Sequence, residues 1–167
     1  MLLIKNLLRR RITMQIIYTH GNHPDFITLC NQLDHSLDIA MGGFDKREKF
    51  VPFNQANTMD MVVMLYSEET PIACGAYRQY DNRTAEIKRM FVNENYRGLG
   101  YGRTILQELN RITKERHFQR LLLETGDFLT AAVALYKSMG FSVIPNYPPY
   151  EKMSESLCME LIIVENL

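Results

Sequence analysis

The sequence carries no excess of either charge: 19 Lys and Arg residues are balanced by 19 Asp and Glu. Without a basic surplus there is no electrostatic footprint for general nucleic-acid binding, although neutrality is compatible with a local anion site. Cysteine is scarce. Cys30, Cys74 and Cys158 are far apart, odd in number and never in a C-x-x-C pair, which argues against a disulfide scaffold or structural zinc and reads as a cytoplasmic chain. His20, His23, His35 and His117 have no cysteine or carboxylate at ligand spacing, so they are read as surface or capping residues and no metal is expected.

Low-complexity tracts are also missing, and 167 residues with 46% hydrophobic content fit one globular domain with a substantial core. A secretory signal is absent from Met1 to Thr13, because apolar Leu2-Leu3-Ile4 precedes Arg9-Arg10-Arg11 and no cleavage pattern follows. The stretch is too short to span a bilayer. It is expected to be a frayed or poorly ordered extension, with the domain running from residue 14 to 167 and no membrane partner.

What is present is periodic. Gln15 to Thr19 is a short β-compatible run, and Asn22-His23-Pro24-Asp25 supplies cap chemistry before Phe26, Leu29, Leu33 and Leu37 recur at helical spacing. Gly42-Gly43 stops that helix, and the polar stretch to Thr58 is expected to be a short helix or mobile loop anchored by Phe44, Phe50 and Phe53. Asp60 to Tyr66 and Pro71 to Tyr77 read as a hairpin, and Thr84 to Val92 as the third strand of a meander. Thr104 to His117 presents Ile105, Leu106, Leu109 and Ile112 on one helical face. Arg120 to Glu124 reads as a buried strand and Leu129 to Met139 as a helix ended by Gly140. Phe141 to Ile144 and Ser156 to Val164 read as the last two strands. This order predicts an α/β fold: a mixed, mostly antiparallel sheet with helices on both faces and one parallel crossover.

That crossover contains Arg97-Gly98-Leu99-Gly100-Tyr101-Gly102-Arg103. Alternating glycines between basic residues, just before a helix, suggest a loop whose backbone N–H groups approach an anion. The spacing is neither the dinucleotide G-x-G-x-x-G nor a P-loop. An ordinary glycine turn is the other reading of these residues alone.

Arg97 to Gly102 has the form Arg-x-x-Gly-x-Gly, and Ala132-Val133-Ala134-Leu135-Tyr136-Lys137-Ser138-Met139-Gly140-Phe141 has the form A-x-x-L-Y-x-x-x-G-F. In this order and separation the two segments resemble the signatures of the GNAT superfamily of acetyl-coenzyme A-dependent N-acetyltransferases, over about Asp60 to Val164. The resemblance implies acetyl-coenzyme A as cosubstrate. Its pantetheine arm would lie along the backbone of Met90, Phe91 and Val92, and its pyrophosphate on amides of Arg97, Gly98, Leu99, Gly100, Tyr101, Gly102 and Arg103. Leu129 stands where many members carry an asparagine.

The resemblance implies further that Tyr136 protonates the departing thiolate, with a core tyrosine as the plainer alternative. Glu86, eleven residues before Arg97, matches the spacing of a catalytic base in one branch of the superfamily. Glu124, at a strand end, is a competing base or an ammonium-binding group. For each glutamate a structural carboxylate is the competing reading. Tyr147 and Tyr150, in the Pro-rich loop between the last strands, are expected to line the acceptor pocket. The expected partner is a small-molecule or peptide amine, without nucleic acid; a homodimer is left open. A non-catalytic coenzyme A-binding sensor is the alternative of a different class.

Overall fold

The computed structural model describes residues 13–163. Strand β1 (Met14–Thr19) is followed by helix α1 (Pro24–Met41) and the single-turn helix α2 (Phe44–Arg47). The meander β2 (Met61–Ser67), β3 (Thr70–Gln79) and β4 (Thr84–Val92) comes next, then α3 (Tyr101–Glu115), β5 (Arg120–Gly126), α4 (Thr130–Ser138), β6 (Ser142–Ile144) and β7 (Ser156–Ile162). One sheet holds all seven strands in the order β1-β2-β3-β4-β5-β7-β6. Every neighbouring pair is antiparallel except β4 with β5. The mixed, mostly antiparallel α/β architecture expected from the sequence is the one observed.

Helices cover both faces. Ile105, Leu106, Leu109 and Ile112 of α3, together with Tyr136 of α4, pack on Ala85, Ile87, Leu121 and Leu123. On the opposite face Phe26, Leu29 and Cys30 of α1 meet Val62, Met64, Cys74, Ala76 and Phe91. A third cluster on the α1 side gathers Phe50, Leu122, Tyr147, Tyr150 and Cys158. The period of 2 along β4 and β5 therefore sends Glu86 and Lys88 to the α1 side and their neighbours to the α3 side.

Several boundaries differ from the sequence reading for local reasons. Helix α3 begins at Tyr101 rather than Thr104, because Gly100 takes a left-handed φ of 85° and caps it, so Tyr101-Gly102-Arg103 form its first turn. Strand β5 continues past Glu124 to Gly126 because β7 pairs with it through Gly126↔Ser156. The stretch before β2 is α2 followed by two 3-10 turns, Glu48–Phe53 and Ala56–Thr58, with Phe50 buried. The extension proposed for Met1 to Thr13 lies outside the described residues, apart from Thr13, whose carbonyl accepts from Glu68 N.

Candidate active site

Strands β4 and β5 pair only from Thr84↔Arg120 to Ile87↔Leu123. Beyond that register β4 runs on to Val92 and β5 to Gly126, with no ladder between them. Among the described residues, the β5-facing edge of Lys88 to Val92 has no strand partner, which leaves a slot beside it for an extended ligand, while the Arg89 and Val92 carbonyls already accept from Cys74 Sγ and Arg97 Nε.

A bulge contributes to the opening. Between Ala76↔Lys88 and Cys74↔Phe91, β3 advances two residues while β4 advances three. Arg89 takes φ 57°, unusual for a side-chain-bearing residue. The conformation is held by its guanidinium: Nη1 donates to Asp34 Oδ1 at 2.8 Å, Nη2 to the Cys30 carbonyl at 2.8 Å and Nε to Cys30 Sγ at 3.3 Å. Arg47 adds a second guanidinium, sharing Asp34 at 3.4 Å and taking Asp38 at 2.5 Å.

A cavity of about 140 Å³ occupies the opening. Its lining comes from both faces of the sheet: Leu33, Leu37, Met41 and Phe50 on the α1 side, Leu129, Ala132 and Tyr136 on the α4 side, and Lys88, Met90 and Glu124 between them. Thus the sheet is open through its thickness where β4 and β5 part. Glu124 faces this space, and Ser156 Oγ donates to its Oε1 at 2.6 Å. No Lys or Arg lies within ion-pair distance of Glu124 among the described residues. Burial raises its pKa above the ordinary glutamate value, opposed by the Ser156 hydrogen bond and by Lys88. Tyr136 is 6% exposed, and burial followed by the charge of Glu124 holds its phenol well above the usual tyrosine pKa.

Glu86 sits elsewhere. It is fully buried and outside the cavity lining, with Oε2 taken by Arg78 Nε and Nη2, each at 2.7 Å. Tyr147 Oη donates to Oε1 at 3.0 Å and Tyr150 Oη at 3.3 Å. Tyr147 and Tyr150 are themselves buried and their hydroxyls point to Glu86, so neither lines the cavity. The structure brings Glu124 and Tyr136 together and separates Glu86, Tyr147 and Tyr150 from them. The sequence reading missed Lys88, Arg89, Asp34 and Phe128 as cavity residues. A signal existed: Glu86, Lys88 and Arg89 are three charges inside a run that buries every residue from Thr84 to Arg89.

The glycine loop lies just beyond β4. Gly98 and Gly100 take φ 76° and 85°, and a Cβ on either would meet no heavy atom within 4 Å. Their left-handed conformations, rather than contacts within the chain, require glycine there. Arg97 Nε donates to the Val92 carbonyl at 3.0 Å, joining loop to strand, and Arg103 Nη2 donates to Ser138 Oγ at 2.7 Å, joining it to α4. With no side chain capping Gly100, the first N–H groups of α3 have only backbone or a ligand to satisfy them.

A sheet parted at its one parallel junction among the described residues, with a glycine loop and helix N-terminus beside the gap, defines a class of α/β proteins with a cleft suited to an extended anionic group. The sequence pattern of the Acetyltransferase (GNAT) family matches residues 31–141, well over half of the chain, and the protein belongs to that family. It is 35% identical over 92 residues to an IAA acetyltransferase of Azospirillum brasilense, a match covering 54% of this chain and 60% of that protein. Over 88 residues it is 32% identical to the N-acetyltransferase YsnE of Bacillus subtilis, which is uncharacterised, covering 52% and 58%. These matches span less than two thirds of the relatives' own lengths. The fold is shared with a Klebsiella pneumoniae protein assigned as an acyl-CoA N-acyltransferase, at TM-score 0.73 and 24% identity over 91% of this chain and 99% of that one. It is shared also with PaiA N-acetyltransferase of Thermoplasma acidophilum, solved in complex with coenzyme A, at TM-score 0.71 and 15% identity over 91% and 100%. No helix among the described residues is long and apolar enough to cross a membrane.

Proposed function

We propose that this protein transfers acetyl directly from acetyl-coenzyme A to a primary amine of a small molecule or peptide, with Glu124 as base and Tyr136 as acid. The observation that carries this reading is that an unpaired, pKa-raised carboxylate and a buried phenol share one cavity where β4 and β5 part. Acetyl-coenzyme A, when bound, supplies the acetyl group already activated as a thioester. The residues present fit it. The free edge at Met90, Phe91 and Val92 offers backbone partners to an extended arm, and left-handed Gly98 and Gly100 leave a loop with no Cβ in the way of a pyrophosphate.

An amine with a lysine-like pKa of about 10.4 arrives as ammonium at neutral pH. Glu124 receives that ammonium through charge and then takes its proton, for which a carboxyl held above its ordinary pKa is better matched than an unperturbed one. Tyr136 stays fully protonated at neutral pH and can donate to the leaving sulfur from the opposite side of the opening. Glu86 expected as base from the sequence is assigned a structural part instead, because each of its oxygens already has donors.

The test is acetyl-coenzyme A consumption across amino acids, polyamines, aminoglycosides and peptide N-termini. Release of free thiol with one of these classes is expected. Tight coenzyme A binding without turnover on any amine would replace the enzyme by a sensor.

A further inference from the structure

The cavity contains a second group that the reaction above does not use. Lys88 is 4% exposed and lines the opening. Its Nζ donates to Tyr150 Oη at 2.6 Å and stands 3.6 Å from Glu86 Oε1. An ammonium has three donors, and the hydrogen bond to Tyr150 uses one. Its nearest countercharge is shared: Glu86 is held by two bonds from Arg78, so one carboxylate serves two cations and a buried positive charge is left over. The neighbouring strand has the opposite surplus, since among the described residues Glu124 is bonded only by a neutral hydroxyl.

These two surpluses are adjacent. Ile87↔Leu123 is the last paired register of β4 and β5, and Lys88 and Glu124 are the next residue on each strand. Paired strands lie about 4.8 Å apart, and here they begin to diverge. Among the described residues Lys88 and Glu124 are not within ion-pair distance of each other. A cation and an anion thus stand side by side in the cavity lining, each feeling the other's charge but without a direct ion pair. Leu33, Leu37, Met41 and Phe50 form an apolar wall beside them.

Resting on the acetyltransferase reading, we propose that the acceptor is a free α-amino acid with an aliphatic side chain, its ammonium on Glu124 and its carboxylate on Lys88. The arrangement complements a zwitterion whose two charges are one carbon apart, and it disfavours a plain amine, which would leave Lys88 buried without a sufficient anion. Burial pulls the Lys88 pKa down and the Glu124 pKa up, so each group gains by meeting the opposite charge of a ligand. Arg47 and Arg89 are not assigned to the carboxylate, because Asp34 and Asp38 already hold them.

Coenzyme A release is measured on the full chain with leucine, isopentylamine, leucinamide and leucine methyl ester, alongside calorimetry with coenzyme A. Leucine is expected to exceed isopentylamine by at least about tenfold in kcat/KM, with the neutral amide and ester falling toward the amine. Lys88→Met should remove most of that preference, through a rise in the KM for leucine that exceeds any change in the KM for isopentylamine. If that variant does not fold, the wild-type series decides alone. Isopentylamine or leucinamide matching leucine would overturn the proposal, as would no turnover with any of the four. Coenzyme A binding by calorimetry in that last case would leave the cofactor reading standing.

Discussion

Glu86 and Glu124 lie on adjacent strands and on the same side of the sheet, yet their surroundings are opposite. Glu86 sits beside β3, where Arg78 closes on it and two tyrosines from the β6–β7 loop complete its shell. Glu124 is two registers further on, past the last β4–β5 pair, where divergence leaves a cavity in place of partners. In the proposed mechanism, two carboxylates one strand apart serve as a structural anchor and a reactive group because one meets a closed sheet and the other an open one. Changes around Glu86 should therefore alter stability, and changes around Glu124 should alter rates.

The largest effect is expected for Glu86→Gln. Removing one charge of a buried cluster strands Arg78 and Lys88, and breaking such a cluster typically costs about 3–5 kcal/mol. Urea unfolding monitored by circular dichroism should show a midpoint shifted down accordingly. An unchanged midpoint with lost activity would erase the contrast and return Glu86 to catalysis. Tyr136→Phe keeps the ring against Phe141, whose centroid lies 6.0 Å away, and removes only the hydroxyl. Turnover should fall about tenfold to ten-thousandfold, with coenzyme A affinity and unfolding midpoint close to wild type. Gly100→Val introduces a β-branched side chain at φ 85°, and the strain should disturb the loop that precedes α3. A roughly tenfold loss of coenzyme A affinity by calorimetry is expected, corresponding to about 1.4 kcal/mol.

The smallest effect sharpens the comparison from the stability side. Burial holds the Glu124 carboxyl above its ordinary pKa, so the fold favours its neutral form. The resulting stability is complete below the unfolded value of about 4.3 and is lost as pH rises through the folded one. Glutamine at this position cannot ionise. Thermal unfolding of Glu124→Gln at pH 7 should thus match or slightly exceed wild type, with the difference vanishing near pH 4. A clear loss at pH 7 would make Glu124 an anchor like Glu86.

The local parts of this arrangement were legible in the sequence. The meander, the amphipathic α3 and the helix stop at Gly42 follow from periodicity and turn chemistry within a few residues, and the glycine loop with its following helix follows from spacing. The different surroundings of the two glutamates were not, because they depend on Tyr147 and Tyr150, which are 61 and 64 positions away in the chain from Glu86. Those tyrosines were expected in the acceptor pocket for being in a loop, yet packing turned them inward. Arg89 was equally hidden: its strained backbone exists because α1, arriving from far upstream, supplies Asp34 and Cys30 to hold it. The α2 and 3-10 segment had no periodic pattern to read, and single anchors such as Phe50 fix it through distant partners on the α1 side of the sheet, Leu122, Tyr147 and Tyr150.

The central claim is that the open strand junction makes Glu124 the group that takes the amine's proton. The most direct measurement is the pH dependence of kcat/KM for wild type and Glu124→Gln on one acceptor, once identified. The account predicts a depressed rate for the variant at neutral pH that recovers as rising pH deprotonates the free amine, with the acid limb of the wild-type profile abolished. A variant profile superimposable on that of wild type would contradict it.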